Sequence, residues 1–260
     1  MARDLSDLTS VRQVPFVNLG SQYAFKDTQI FKKIESVLAS GNFVSTESVR
    51  TLELEIASYC GVSDAVALNS GTDALILGMR ALGIGSGDEV ITAPNSFIAS
   101  AAAIVAVGAT PVFADVSDDQ NINPEAVAGS VTSRTRAIMP VHLTGRVCDM
   151  KAICAIAKQH DLLIIEDAAQ AIGGESSNGK VGSIGIAAGF SLHPLKNLSV
   201  YGDGGVLTTN NKDIYEKAKL LRNHGLKDRD NCEIWGLNTR LDEIQAAFAL
   251  IKMKYIDEWT

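Results

Sequence analysis

The sequence predicts an α/β protein of three layers, in which helices cover both faces of a mostly parallel sheet of seven strands. Short apolar runs rich in β-branched residues alternate with longer segments of helical periodicity. The runs are continuously apolar, which is typical of strands that are buried on both faces of a parallel sheet. The predicted strands are 64–70, 88–95, 110–116, 136–143, 162–169, 186–193 and 204–210.

Helices are expected between and around these strands. Two of them, separated by a loop at 41–45, are predicted within 26–58, ahead of the sheet. The last two strands are joined by SLHPLKNLSVYGDGG (191–205), which is too short for a helical crossover, so we expect them to pair antiparallel. The other predicted helices are 72–82, 97–107, 123–130, 149–160, 212–223 and a final amphipathic helix at 240–260.

The composition indicates a globular protein with a sizeable core. Of the 260 residues, 46% are hydrophobic and 20% are charged, whereas disordered chains are poor in apolar residues and rich in charge. The 23 basic and 30 acidic residues give a net charge of −7, which offers no general attraction to the phosphates of nucleic acid. No nucleic-acid partner is therefore expected.

The cysteines and the lengths of the apolar runs indicate the cellular compartment. Four cysteines lie at irregular spacing without a C-x-x-C pair, which suggests neither a zinc site nor a disulfide framework and favours reduced thiols. No apolar run approaches the roughly 18 residues of a membrane span, and the N-terminus carries charges where a signal peptide needs an apolar core. We expect a soluble cytoplasmic protein without membrane attachment.

The functional site is expected just after the strands, because ligands of open parallel sheets bind outside the carboxyl ends of the strands. At 70–72, the motif SGT ends a strand and opens a helix, whose free N–H groups and dipole favour a phosphate. An ordinary helix cap is the alternative explanation. The other residues that follow strands are Asn95 to Phe97, His142, Asp167 with Gln170, and Ser191 with Lys196.

Asp167 and Lys196 are expected to meet at this edge of the sheet. Asp167 ends an apolar strand, where a carboxylate needs a cationic or N–H partner; a helix cap or a core ion pair is the alternative. Lys196 follows a buried strand, although solvated loop lysines are common. A lysine amine, an acid for a pyridinium nitrogen and a phosphate cup are together what pyridoxal phosphate requires. No metal site is expected, because Glu166 points to the opposite face of its strand.

A series of ordered motifs along most of the chain matches a known family. They run from VPFVNLGSQY near residue 14 to GLNTRLDEIQAA near residue 247. Because of these motifs, the chain resembles the sugar-nucleotide aminotransferases of the DegT/DnrJ/StrS type. Members of this family use pyridoxal phosphate (PLP) and have the aspartate-aminotransferase (PLP fold type I) large domain. The motifs in between are SGTDAL, GDEVITAPNSF, GATPVFADV, PVHLTG, IIEDAAQAIG, SLHPLKN, GDGGVLTTN and LRNHG.

The resemblance implies a role for each residue that matches the family's cofactor site. By similarity, Lys196 forms a Schiff base with PLP and later moves a proton between the substrate carbon and the cofactor. Asp167 is similar to the residue that bonds the pyridinium nitrogen, and Gln170 to the residue that bonds the phenolic oxygen. Phe97 occupies the position of a flat side chain that stacks on the ring, for which the apolar start of a helix is the alternative.

Phosphate-binding positions and a dimer are also implied by the resemblance. Gly71, Thr72 and Ser191 match positions that bind the phosphate within one chain. Asn238 matches an asparagine that reaches the phosphate from the neighbouring subunit. A homodimer with shared active sites is therefore expected.

The implied reaction has two halves. An amino acid, usually glutamate in this family, donates its amine, and a keto carbon of a nucleotide-linked sugar accepts it. The loop 41–45 and His193 either face this substrate or simply pack against the fold. Thr144 stands where relatives often carry an aromatic residue, a small difference in the sugar pocket. Related PLP-dependent sugar dehydratases replace the lysine at position 196 by histidine, so Lys196 argues against that activity.

The resemblance also bears on domain organisation, because relatives continue into a smaller C-terminal domain. We therefore divide the chain into an N-terminal helical segment (1–60), a PLP-binding large domain (61–239) and the start of a linker helix (240–260). We expect the sequence to be a fragment or a natural truncation. A truncated, catalytically impaired member that acts as a ligand-binding or regulatory protein is the alternative function.

Overall fold

The computed structural model describes residues 14–20 and 29–260 of the chain. All seven predicted strands are present, and two short ones are added between the fifth and the sixth. The strands are β1 (Asp64–Leu68), β2 (Glu89–Thr92), β3 (Thr110–Phe113), β4 (Thr135–Met139), β5 (Leu163–Asp167), β6 (Glu175–Ser176), β7 (Gly179–Lys180), β8 (Ala187–Ser191) and β9 (Gly205–Thr209). The helices are α1 (Gln29–Ser40), α2 (Glu47–Cys60), α3 (Gly71–Ala81), α4 (Ala99–Ala106), α5 (Pro124–Gly129), α6 (Met150–His160), α7 (Lys212–Arg222), α8 (Glu243–Met253) and α9 (Ile256–Trp259).

Seven strands form one sheet in the order β1-β9-β8-β5-β4-β2-β3. The pairs from β3 to β8 are parallel, whereas β9 is antiparallel to both of its neighbours, β8 and β1. The mostly parallel seven-stranded sheet and the antiparallel pairing of the last two strands are thus confirmed. The contact of β9 with β1 was not predicted, because it joins distant parts of the sequence. The separate hairpin of β6 and β7 was missed because each strand has two residues.

Alternate residues of the strands face two layers of helices. In β1, Ala65 and Ala67 pack in a core with residues of α2 and α8, whereas Val66 and Leu68 pack in another with residues of α3 and α7. Farther along the sheet, α5 and α6 continue the first layer and α4 continues the second. The three-layer arrangement is therefore confirmed.

The chain after residue 240 differs from the single predicted helix. A turn at Lys254 and Tyr255 separates α8 from α9. At the start of α8, the Glu243 carboxylate accepts hydrogen bonds from the N–H groups of Thr46, Ser48 and Val49 and so caps α2. Burial alone would raise the pKa of Glu243, but these donors outweigh it and hold the pKa below its usual value.

At both edges of the sheet, side chains or a proline hinder pairing with a further strand. In the edge strand β1, the Ala67 N–H donates to Glu53 Oε1 at 2.8 Å, and the Ala67 carbonyl accepts from Arg222 Nη1 at 2.8 Å. Glu53 and Arg222 also form an ion pair with each other. At the other edge, β3 contains Pro111, which has no N–H to offer to a further strand.

Some predictions concern the chain as a whole. Within residues 14–20 and 29–260, no helix combines the length and the apolar character that crossing a membrane requires. The start of the first predicted helix, at 26–28, lies outside the described residues. The division of the chain at residues 60 and 239 stays a prediction.

Candidate active site

A cavity of about 320 Å³ lies at the predicted edge of the sheet, where β1, β5 and β8 end. It combines residues from loops and helix starts that are far apart in the sequence. All predicted cofactor residues except Asn238 line it, namely Gly71, Thr72, Phe97, Asp167, Gln170, Ser191 and Lys196.

One side of the cavity is the N-terminus of α3. Ser70 caps this helix, with its Oγ accepting from the Asp73 N–H at 3.0 Å. The N–H groups of Gly71 and Thr72 lie in the first turn, where a helix supplies no acceptor for them. A Cβ on Gly71 would lie only 2.8 Å from the Cβ of Ser191, so glycine is required for this approach. Backbone donors and the Ser191 hydroxyl thus meet in one place that suits a phosphate.

Asp167 lies at the bottom of the cavity and is only 4% exposed. Its Oδ2 accepts from Ser100 Oγ at 2.6 Å and its Oδ1 from the Ala169 N–H at 3.2 Å. Burial raises the pKa of this carboxyl above its usual value, although both hydrogen bonds and the charge of Lys196 oppose the rise. A carboxylate in this environment is stabilised by a cationic partner in the cavity.

Lys196 lines the same cavity and is half-buried. Burial lowers the pKa of its amine, and the negative charge of Asp167 partly opposes this effect. Desolvation thus favours the neutral form of both groups, a pattern that is typical of functional sites. The neutral form of the amine is therefore more accessible than it is in an exposed lysine.

Gln170 and Phe97 complete the wall around Asp167. Gln170 Oε1 accepts from the Thr144 N–H at 2.6 Å, so the amide nitrogen of Gln170 remains to donate. The Phe97 side chain lines the cavity and is 73% exposed. Packing in the core therefore does not account for Phe97, and its stacking role stays a prediction.

A buried polar network lies behind Asp167. Glu166 is fully buried and accepts from three backbone N–H groups of the loop 182–185 and from His142 Nε2 at 3.1 Å. His142 Nδ1 accepts from the Cys148 N–H at 3.2 Å, so Nε2 carries the proton that is donated to Glu166. Glu166 thus faces away from the cavity, as expected. Among the described residues, no three His, Cys, Asp or Glu side chains are grouped to hold a metal ion.

Sequence reasoning missed Ser100. This residue is buried in the first turn of α4 and gives Asp167 its shortest hydrogen bond, at 2.6 Å. Nothing in the local sequence distinguishes it from the small residues around it. Only the packing of α4 against the end of β5 reveals its contact.

The remaining predicted residues have different positions. His193 lines the cavity, whereas Val44 and Ser45 of the loop 41–45 line another cavity together with Arg240. Asn238 is exposed, lies in a main-chain bridge with Asn223 and does not line the cavity of its own chain. Its predicted contact with a neighbouring subunit stays a prediction.

Known sequences match nearly the whole chain. Residues 25–260 match the model of the DegT/DnrJ/EryC1/StrS aminotransferase family. The chain is 43% identical over 248 residues to the pleiotropic regulatory protein of Geobacillus stearothermophilus. This match covers 95% of this chain and 67% of that protein. It is 40% identical over 256 residues to the dTDP-3-amino-3,4,6-trideoxy-alpha-D-glucose transaminase of Streptomyces venezuelae, covering 98% and 68%. The chain thus spans about two thirds of the length of these relatives.

Solved structures share the fold. S. venezuelae DesV in complex with a ketimine intermediate matches with a TM-score of 0.91 and 41% identity, over 95% of this chain and 67% of DesV. NtdA from Bacillus subtilis with bound cofactor PMP matches with a TM-score of 0.89 and 33% identity, over 95% of this chain and 57% of NtdA. These similarities confirm the aspartate-aminotransferase (PLP fold type I) class. With its α/β fold, its cavity and its relatives in agreement, the chain belongs to the DegT/DnrJ/EryC1/StrS aminotransferase family.

Proposed function

We propose that the chain is a PLP-dependent aminotransferase that moves an amino group from an amino acid, with glutamate as the expected donor, to a keto carbon of a nucleotide-linked sugar. Such a reaction serves the synthesis of amino sugars for surface polysaccharides or antibiotics. The observation that carries the proposal is that Lys196 and Asp167 line one cavity at the N-terminus of α3. The sugar transaminase from S. venezuelae, 40% identical to this chain, supports the substrate class.

The residues of the cavity fit PLP. Asp167 is a buried carboxylate that a pyridinium N–H can stabilise, because desolvation is the main cause of its raised pKa. The free N–H groups of Gly71 and Thr72 and the hydroxyl of Ser191 suit the phosphate. Lys196 supplies the amine for the covalent bond to the aldehyde, as aldehyde-binding lysines do in such enzymes.

Asp167 and Lys196 have separate roles in the proposed reaction. When bound, PLP supplies an electron sink for the charge that is left on a carbon after loss of a proton. Asp167, held by Ser100, keeps the ring nitrogen protonated through its negative charge. Lys196 Nζ has a lowered pKa, so its neutral form can take a proton from the carbon of the amino-acid donor and deliver it to the cofactor. In the second half of the reaction, the same amine would carry a proton from the cofactor to the carbon of the sugar.

A homodimer with shared active sites is part of the proposal. The support is that Asn238 is exposed and lies outside the cavity of its own chain, so its side chain is available to a second copy. A cytoplasmic location is also proposed. It is supported by four free cysteines, which are typical of proteins in reducing compartments.

The cofactor assignment is tested by absorbance. We expect the purified chain to develop a visible band with PLP, and glutamate to convert this band to that of the amino form of the cofactor. Lys196→Ala should abolish the band, whereas Lys158→Ala, which changes an exposed lysine of α6, should leave it intact. A band that persists in Lys196→Ala would show that the assignment of Lys196 is wrong.

The substrate class is tested with the amino form of the protein. It is mixed in turn with dTDP-, UDP- and GDP-linked ketosugars that carry the keto group at C3 or C4, and aminated sugar is measured by mass spectrometry. Amination of at least one of them is expected. Binding of PLP without reaction with glutamate or any ketosugar would instead favour a regulatory role, which the name of the G. stearothermophilus relative brings into consideration.

A further inference from the structure

Lys196 lies in a closed loop, residues 192–204, which we call the Lys196 loop. The Val200 N–H donates to the Leu192 carbonyl at 2.8 Å, so that Lys196 lies at the midpoint of the segment that these two residues close. The Leu192 N–H in turn donates to the Gly204 carbonyl at 2.8 Å. The near end of the loop directly follows β8. The far end leads into β9, and between Lys196 and β9 the loop also contacts α8.

One side chain of α8, Gln245, contacts the second half of the loop at Tyr201. The Tyr201 N–H donates to Gln245 Oε1 at 3.0 Å, and Gln245 Nε2 donates to the Tyr201 carbonyl at 2.9 Å. Both main-chain polar groups of Tyr201 are thus bound by one amide. A Cβ on Gly202 would lie 2.9 Å from Gln245 Nε2, so the loop and α8 approach closely at this point.

Two further residues of α8 contact the same part of the loop. Tyr201 packs edge to face against Phe248, with 4.7 Å between the ring centroids and 89° between the planes. Lys252 Nζ donates to Ser199 Oγ at 3.1 Å and lies 4.3 Å from the centroid of the Tyr201 ring. The spacing of 245, 248 and 252 places the three side chains on one face of the helix.

We propose that Gln245 is a positioning residue for Lys196: by fixing Tyr201, it holds the Lys196 loop so that the amine stays in the cavity with Asp167. Gln245 itself does not line the cavity and acts only through the loop. The proposal takes from the proposed function only the assignment of Lys196 as the lysine that bonds PLP. It makes α8 a support of the active site.

The expected effect follows from what the Lys196 amine loses when the loop is released. Burial lowers the pKa of Lys196, so an amine that spends time in water has a pKa closer to the usual lysine value of about 10.4. Removal of both hydrogen bonds of Gln245 can weaken PLP binding by at most about 30-fold. A weakening of about tenfold is expected, because water replaces part of each hydrogen bond.

The test measures the pKa of Lys196 in the cofactor-free chain. Lys196 is labelled with acetic anhydride over a range of pH, and the extent of labelling is read by mass spectrometry of its peptide. Gln245→Met keeps the length of the side chain and removes both hydrogen bonds. We expect it to raise the pKa of Lys196, to accelerate hydrogen exchange at 199–202 and to weaken PLP binding about tenfold.

The control is Glu243→Gln, which weakens the contact of α8 with α2 two residues away but leaves the Tyr201 contacts intact. It should lower stability without changing the pKa of Lys196. An unchanged pKa in Gln245→Met, or an equal change in Glu243→Gln, would overturn the positioning role. Failure of the unmodified chain to bind PLP would instead count against the proposed function, and the labelling result would still decide the role of Gln245.

Discussion

The contact between Gly71 and Ser191 predicts that one added methyl group will damage the phosphate end of the cavity. In Gly71→Ala, the new Cβ would lie 2.8 Å from Ser191 Cβ, 3.0 Å from Ser191 Cα and 3.2 Å from the Phe190 carbonyl oxygen. Carbon atoms prefer a separation of at least about 3.5 Å, so α3 and β8 must move apart by about 0.7 Å at the closest point. Phe190 is buried in the core at 1% exposure, so β8 cannot yield without disturbing its packing.

The size of the loss follows from two opposing effects. Overpacking of this kind costs about 1–3 kcal/mol. Alanine is the better helix former by at most about 1 kcal/mol, and less than that in the first turn of a helix. We therefore expect Gly71→Ala to lose about 1–2 kcal/mol of free energy of unfolding. Because the N–H groups of Gly71 and Thr72 shift relative to Ser191, PLP should also bind about tenfold more weakly.

The assays are urea unfolding followed by circular dichroism, and titration of the chain with PLP followed by absorbance. Gly129→Ala is the matched control, because Gly129 lies at the end of α5 and a Cβ there meets nothing within 4 Å. It should be neutral or stabilising by up to about 1 kcal/mol. Equal stability and equal PLP affinity in the two variants would refute the conclusion that close packing of α3 on β8 forms the phosphate site.

Three more results are expected. Ser100→Ala removes a hydrogen bond that lowers the pKa of Asp167, so this pKa should rise further, and the acidic limb of a pH titration of PLP binding should move to higher pH. Asp167→Asn should make the cofactor-free chain more stable in urea at neutral pH. The pKa of Asp167 is higher in the folded chain than in the unfolded chain, so ionisation of this carboxyl destabilises the fold above the unfolded pKa of about 3.9. The same variant should bind PLP more weakly. Glu243→Gln should lose about 1–3 kcal/mol of unfolding free energy at neutral pH. Since the folded pKa of Glu243 lies below its unfolded value of about 4.3, the difference from the unmodified chain should be present above that pH and shrink as pH falls through the folded pKa.

The parts of the site that follow strands could be predicted from the sequence. Asp167 and Ser191 each end an apolar run, and Gly71 opens a helix directly after another, so the rule for open parallel sheets places them at one edge. Lys196 follows from the same rule and from the family motif that surrounds it. The local sequence thus carries enough information for residues that are placed by the sheet itself.

Contacts made from the helices could not be predicted in this way. Ser100 is 67 residues away from Asp167, Gln245 is 44 residues away from Tyr201, and Glu243 is 197 residues away from Thr46. Each of these contacts depends on how a helix packs on the sheet or on another helix, and apolar periodicity defines only which face of the helix is buried. The antiparallel pairing of β1 with β9 was missed because it joins distant parts of the sequence.

The protected edges of the sheet have a consequence for how copies of this chain can associate. Glu53 and Arg222 occupy the outward main-chain groups of Ala67 where a further strand would bind, and Pro111 lacks a donor at the opposite edge. A continuous sheet running through two molecules is therefore disfavoured, as is open-ended growth by strand pairing. Association of two copies through helices and loops is favoured instead, in keeping with the contact near Asn238 that the proposed dimer would make.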